Sequence, residues 1–316
     1  MYFFNIGMNK RAKIYQISYS PEIRKSLDPG FEVIGDETNP RPEWFEYWHI
    51  RNFLKSEVLD EDTLYGFFSP KFKEKTNLIA AQVFNYIEQH KECDVILFSP
   101  YLDQSALFLN IIEQGWFAHP ELKSIFDKVC SRYFDGIDHE VAVTTTENTV
   151  FSNYFVAKPK FWVRWFEICE DLFGIVEWGQ DPLAIEISGN TRYKESTTSI
   201  RTFVIERIAT LLLFSRKNWK VKSYPSYQCA VGKMPAAKST NLLLALDALK
   251  TKFVQTGARE YLRAYFDIRI ALLKGYAPMQ FQDSSIGPAH GLQAYTEHLI
   301  KKIDSHYNND QVLPSF

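Results

Sequence analysis

The chain lacks nearly every motif that marks a common enzyme class. No GxGxxG follows a strand, and there is no GxxxxGK[ST], no GxSxG elbow and no HExxH. Dinucleotide enzymes, P-loop NTPases, α/β-hydrolases and zinc proteases therefore lack their signatures here. Cysteine is scarce: Cys93, Cys130, Cys169 and Cys229 are far apart and form no CxxC pair. That argues against a zinc site or a thioredoxin-type motif and for reduced thiols in a cytosolic protein. No apolar run approaches the roughly 20 residues needed to span a bilayer. The opening stretch, residues 1–8, is broken by Asn5 and Gly7 and makes a poor signal peptide. Neither sign of charge dominates, since 36 Lys and Arg against 38 Asp and Glu leave a net charge of −2. Nothing electrostatic points to a nucleic-acid partner, and the expectation is a soluble, cytoplasmic protein.

Aromatic residues, by contrast, are plentiful, with 25 Phe, 17 Tyr and 7 Trp. They either fill the core or line a groove for a planar or sugar ligand. Two short apolar runs end at the same dipeptide, Tyr65-Gly-Phe-Phe-Ser69-Pro70-Lys71 and Asp94-Val-Ile-Leu-Phe-Ser99-Pro100-Tyr101. Each reads as a buried strand, because four or five apolar residues are bounded by turn formers. Proline cannot donate to a ladder and so stops each strand. Ser69, Lys71, Lys73 and Lys75 follow one stop; Ser99, Asp103 and Gln104 follow the other. In an open α/β sheet, ligands bind outside the carboxyl ends of the strands, so these residues mark a candidate site.

Further strands are expected over residues 13–20, 31–35, 154–157 and 219–223. Helices are expected from Pro42 onward and over 78–89 (capped by Thr76 or Asn77), 104–114, 120–134, 159–173 and 202–214. Beyond residue 236 the pattern is helical, over 242–254 and 258–273. The order implies an α/β fold, a domain over 1–235 with a C-terminal helical extension over 236–316. That extension either packs on the α/β body or makes an oligomer contact.

The order of these features resembles a GT-A-type nucleotide-sugar glycosyltransferase of the bacterial surface-polysaccharide (O-antigen or capsule) kind. The likeness rests on the first strand, on Glu43-Trp-Phe-Glu46-Tyr-Trp-His-Ile-Arg51-Asn52-Phe-Leu54, on Tyr65-Gly-Phe-Phe-Ser-Pro-Lys-Phe72, on residues 94–100, on Asn153-Tyr-Phe-Val-Ala-Lys-Pro and on Val204-Ile-Glu-Arg-Ile-Ala209. It covers roughly residues 13–225. It implies a Rossmann-like mixed sheet with flanking helices, a nucleotide-sugar donor such as a UDP-sugar, and a glycan or lipid-linked glycan acceptor. Such an acceptor is compatible with peripheral association at the inner face of the membrane.

The resemblance implies donor contacts from Ser18, Tyr19, Asp36, Ser69, Lys71, Lys75, Gln104 and Arg207, with Asn153 on the acceptor side. Asp103 would face the donor sugar and Glu206 would be the general base. No DxD pair for Mg²⁺ or Mn²⁺ stands after a buried strand, where the family places it, the nearest candidate, Asp103, having no second acid in register. Lys71 and Lys75 would then neutralise the leaving diphosphate in place of a metal. Structural roles compete: an exposed basic turn for the lysines, a helix N-cap for Asp103, and a salt bridge to Arg207 or Arg201 for Glu206. Glu46 and Arg51, five apart, share no helical face, so at least one of them serves packing or capping. A non-catalytic glycan- or protein-binding module on the same fold is the alternative function.

Overall fold

The computed structural model describes residues 11–35, 38–193, 196–215, 218–232, 238–276 and 288–307. Its strands are β1 (Ala12–Ile17), β2 (Glu32–Ile34), β3 (Leu64–Phe68), β4 (Val95–Leu97), β5 (Phe155–Ala157), the hairpin β6 (Asn190–Tyr193) and β7 (Ser196–Ser199), and β8 (Val221–Ser223). The helices are α1 (Pro21–Ser26), α2 (Glu46–Ser56), α3 (Phe72–Thr76), α4 (Ala80–Gln89), α5 (Leu102–Leu107), α6 (Ile111–Ala118) and α7 (Leu122–Tyr133). They continue with α8 (Pro159–Trp178), α9 (Pro182–Ser188), α10 (Ile200–Ser215), α11 (Thr240–Thr256), α12 (Arg259–Tyr276) and α13 (Pro288–Tyr307). Among the described residues no helix is long and apolar enough to cross a membrane.

Six strands form a mixed central sheet in the order β2-β1-β3-β5-β4-β8. All neighbours are parallel except around β5, which runs antiparallel to both β3 and β4. The central strands are apolar on both faces because helices cover both faces. Tyr15, Ile17, Tyr65, Phe67, Val95, Leu97, Phe155 and Ala157 point into one core, shared with α2 and α6 to α10. Ile14, Leu64, Phe68, Ile96, Phe98 and Val156 point into the other, closed by α3 and α4. Gly66 sits mid-strand because a Cβ there would come within 2.8 Å of Val156 Cγ2 on β5.

One expected helix breaks in two, and another starts later than expected. Residues 104–114 break into α5 and α6 at 108–110, and Asn110 caps α6 by accepting the Ile112 and Glu113 N–H groups at 2.9 and 2.8 Å. The helix expected from 78 begins at Ala80, after the extra short helix α3, so neither Thr76 nor Asn77 is its cap. Asn77 instead ends α3 at φ 60°.

The C-terminal helices pack on the α/β body. Leu243, Leu246 and Phe253 of α11 and Leu262, Tyr265 and Phe266 of α12 share a core with Leu102, Ala106 and Leu107 of α5. At the α5–α6 break, Lys250 is fully buried. It donates to the Phe108 and Thr144 carbonyls, both at 2.7 Å, and to that of Ser105. The Ser105 carbonyl is in the last turn of α5, where acceptors lack intrahelical partners. Beside it, Arg269 grips Glu113 with both terminal nitrogens, at 2.5 and 3.0 Å, and both side chains are buried.

Candidate functional site

The strand order reverses between β1 and β3, since the chain goes from β1 to β2 on one side and then to β3 on the other. Such a switch point opens a crevice at the carboxyl ends of the strands. Because β5 is antiparallel, its lead-in Ser152-Asn153-Tyr154 arrives at the same edge as the ends of β3 and β4. A cleft of about 820 Å³ opens there. Its walls include Tyr19 after β1, Ser69 to Lys71 and Lys75 after β3, Tyr101 and Gln104 after β4, and Phe151 to Asn153 before β5. Glu46 from α2 and Gln114 and His119 from α6 and its end complete it, with Thr202, Phe203, Glu206 and Arg207 from α10.

The short helix α3 decides which lysines matter. Lys71 at its start and Lys75, one turn on, share a face and line the cleft, while Lys73 is exposed outside it. Lys75 Nζ donates to Ser152 Oγ at 2.8 Å and lies 5.6 Å from the Tyr154 ring centre. Ser69 Oγ and Tyr154 Oη are 2.5 Å apart, and burial pushes the Tyr154 phenol well up, so it stays neutral. The Ser69 carbonyl accepts from the buried Gln16 at 3.3 Å, which ties the end of β3 to β1.

Glu206 accepts the Ser152 N–H. It forms no ion pair with Arg207 or Arg201 among the described residues; Arg201 instead lies 4.0 Å from Glu177. Arg207 is 3% exposed, and burial draws its guanidinium down to about 10, with the nearby Glu206 charge opposing. Gln114 links it to Gln104, accepting from Arg207 Nη2 at 2.7 Å and donating to Gln104 Oε1 at 2.8 Å. Asn153 is 9% exposed and its Oδ1 is buried with no hydrogen-bond partner, as is Thr202 Oγ1. The Tyr19 hydroxyl is pushed well up by burial and then by the Glu46 carboxylate beside it.

Tyr19, Ser69, Lys71, Lys75, Gln104, Asn153, Glu206 and Arg207 thus come together around one cavity. Two expected members do not join them. Asp103 is fully buried and accepts the Gly232 N–H at 2.7 Å, so it faces neither the cleft nor a cap position, which Tyr101 holds. Ser18 is buried too, its hydroxyl donating to the Ser20 carbonyl at 3.0 Å. Asp36 lies outside the described residues. Of the pair on α2, Glu46 lines the cleft, whereas Arg51 is held by Glu170 at 2.7 and 2.8 Å and stacks over Phe173. Ser152, Thr202, Phe203, His119 and Gln114 carry no motif and are not marked as site residues by the sequence. The one available signal was the Glu206 register, which puts Thr202 and Phe203 one helical turn before Glu206 and Arg207.

Among the described residues no group of three or more His, Cys, Asp or Glu side chains is arranged to hold a metal ion. Ammonium groups at the end of β3, a carboxylate joined to one of them through Ser152, and amide and hydroxyl groups around them suit an anionic, polyhydroxylated ligand and a proton transfer. No protein-family model, no curated protein and no solved structure matches the chain.

Proposed function

We propose that the protein is a GT-A-type glycosyltransferase of surface-polysaccharide synthesis, working in the cytoplasm at the inner face of the membrane. It moves a sugar from a nucleotide diphosphate, a UDP-sugar in the first instance, to a glycan or lipid-linked glycan acceptor. One observation carries this reading: Lys71 and Lys75 follow β3 at the switch point and line the same cleft as Glu206. The acceptor oxygen bonds to the anomeric carbon as that carbon's bond to the diphosphate oxygen breaks. The acceptor proton goes to Glu206, and the charge developing on the diphosphate falls to Lys71 and Lys75. Glu206 is suited to this by its fixed orientation, since the Ser152 N–H holds its Oε1.

Thermal shift of the purified protein with UDP and UDP-sugars, in EDTA and in Mg²⁺ or Mn²⁺, tests the proposal. Stabilisation by UDP that persists in EDTA is expected, followed by sugar transfer in a radiolabel assay. No response to any nucleotide overturns it in favour of a non-catalytic binding module. A response only with metal keeps the transferase and removes the lysines' substitute role.

A further inference from the structure

Arg207 makes no ion pair among the described residues, and the charge that acts on it is that of Glu206, its neighbour in sequence. Its described hydrogen bonds go to the Ile111 and Phe203 carbonyls and to Gln114 Oε1, at 3.2, 2.8 and 2.7 Å, and all three acceptors are neutral. A guanidinium carries five N–H donors; with three used, two remain. Arg269, by contrast, has Glu113 as its counter-ion. A buried guanidinium hydrogen-bonded to neutral acceptors only, in the wall of a cavity, can take an anion through its remaining N–H groups. Guanidinium suits a carboxylate or phosphate, which it binds through paired N–H groups.

The surroundings define a compartment. Phe203 stacks on His119 with ring centres 4.0 Å apart, and Phe108 and Phe117, themselves 5.1 Å apart, also line the cleft. Thr202 Oγ1, buried and without a partner, belongs to the same turn of α10. Lys71 and Lys75 belong to a different wall, at α3, and Lys75 gives one of its three N–H donors to Ser152. Glu206, bonded to that Ser152 and next to Arg207 in sequence, stands between the two cationic groups. Gly115 makes room for the guanidinium: a Cβ there would lie 2.5 Å from Arg207 Nε and 3.0 Å from Cζ.

We infer that the cleft contains a second anion subsite, centred on Arg207, which takes one carboxylate or phosphate group of a ligand whose ring lies along Phe203 and His119. Resting on the glycosyltransferase reading, that ligand is the acceptor, which is therefore acidic, while the donor diphosphate stays with Lys71 and Lys75.

The full chain, saturated with UDP to occupy the donor side, is titrated by thermal shift with glucuronate, glucose 1-phosphate and glucose. Glucuronate or glucose 1-phosphate should raise the melting temperature further, and glucose should not. A response to the first alone identifies a carboxylate, and to the second alone a phosphate. In Arg207→Met and Gly115→Ala the apparent affinity for that anion should fall at least tenfold, with the UDP response retained. Gly115→Ala displaces the guanidinium without deleting it and decides the matter should Arg207→Met fail to fold. The inference is overturned if both anions act no better than glucose on the wild-type chain. It is also overturned if Gly115→Ala loses the UDP response in parallel, which would give Arg207 to the diphosphate. A wild-type chain that answers the anions but not UDP would sink the transferase reading and leave the subsite standing.

Discussion

Glu206 accepts the backbone N–H of Ser152, and Ser152 is held at φ 59°, a left-handed conformation rare for a non-glycine residue. Of the six non-glycine residues with positive φ among those described, Phe45, Tyr101, Ser152 and Asn153 line the cleft. Backbone strain of this kind persists where surrounding structure over-determines it, and it concentrates at functional sites. The strained peptide presents its N–H to the carboxylate and its hydroxyl to Lys75, so it sets the distance between proposed base and proposed cation. Glu206→Gln keeps an acceptor for that N–H but cannot take a proton. Its melting temperature should stay near wild type while transfer slows by about 10² or more. Undiminished initial rates with a UDP-sugar would remove Glu206 as base.

Lys71 and Lys73 make a matched pair for the second prediction, both exposed and only one facing the cavity. Lys71→Ala should abolish transfer and leave the unfolding free energy within about 0.5 kcal/mol of wild type. Lys73→Ala should change neither. Equal effects in the two variants would mean that general surface charge, not a positioned ammonium, governs turnover.

Lys250 gives a pH-dependent prediction. Burial draws its ammonium down to about 8 from the ordinary 10.5. The unfolded chain therefore holds more protons than the fold between those values, and this group makes stability rise with pH across that window. Lys250→Met leaves three carbonyls without their donor and should lose about 2–3 kcal/mol at pH 7. Urea denaturation of both chains from pH 7 to 10 should show the wild-type advantage widening as pH rises. A constant difference would mean that the Lys250 proton is not displaced by folding.

Glu140 titrates with the opposite sign. Hydrogen bonds and charges of Lys123 on α7 and Lys302 on α13 outweigh its partial burial and hold its carboxyl down at about 2, against 4.5. Its stabilisation is complete above pH 4.5 and is lost as pH falls toward 2. Partial solvent screening limits it to about 1 kcal/mol. Glu140→Gln should be less stable at pH 7 by that amount and should lose correspondingly less between pH 4.5 and 2, as read by acid titration of tryptophan fluorescence.

The ends of β3 and β4 were legible because apolar runs and Ser-Pro stops are local signals, and they open on the cavity where the α/β reasoning put it. The direction of β5 was not legible: Phe155, Val156 and Ala157 are apolar on both faces and carry no mark of orientation. The break at 108–110 hid inside continuous apolar sequence, with Asn110 as its only local trace. Asp103 looked like a site residue because its partner, the Gly232 N–H, lies 129 positions away. Lys71 and Lys75 were singled out by the resemblance, and α3, a helix too short for periodicity to reveal, is what puts them on one face of the cleft with Lys73 outside it. The acceptors of Arg207, the Ile111 carbonyl and Gln114 Oε1, depend on how α6 and α10 meet and leave no mark in the sequence.

The Phe108 carbonyl waits for an ammonium that is translated 142 residues later. During synthesis β1 to β5 and the helices between them leave the ribosome well before α11 does, so the elbow between α5 and α6 stays unsealed until α11 emerges. Gln104 and Gln114 flank that elbow. A product clipped before α11 would therefore carry the inner strands of the sheet beside an unsealed edge of the cleft.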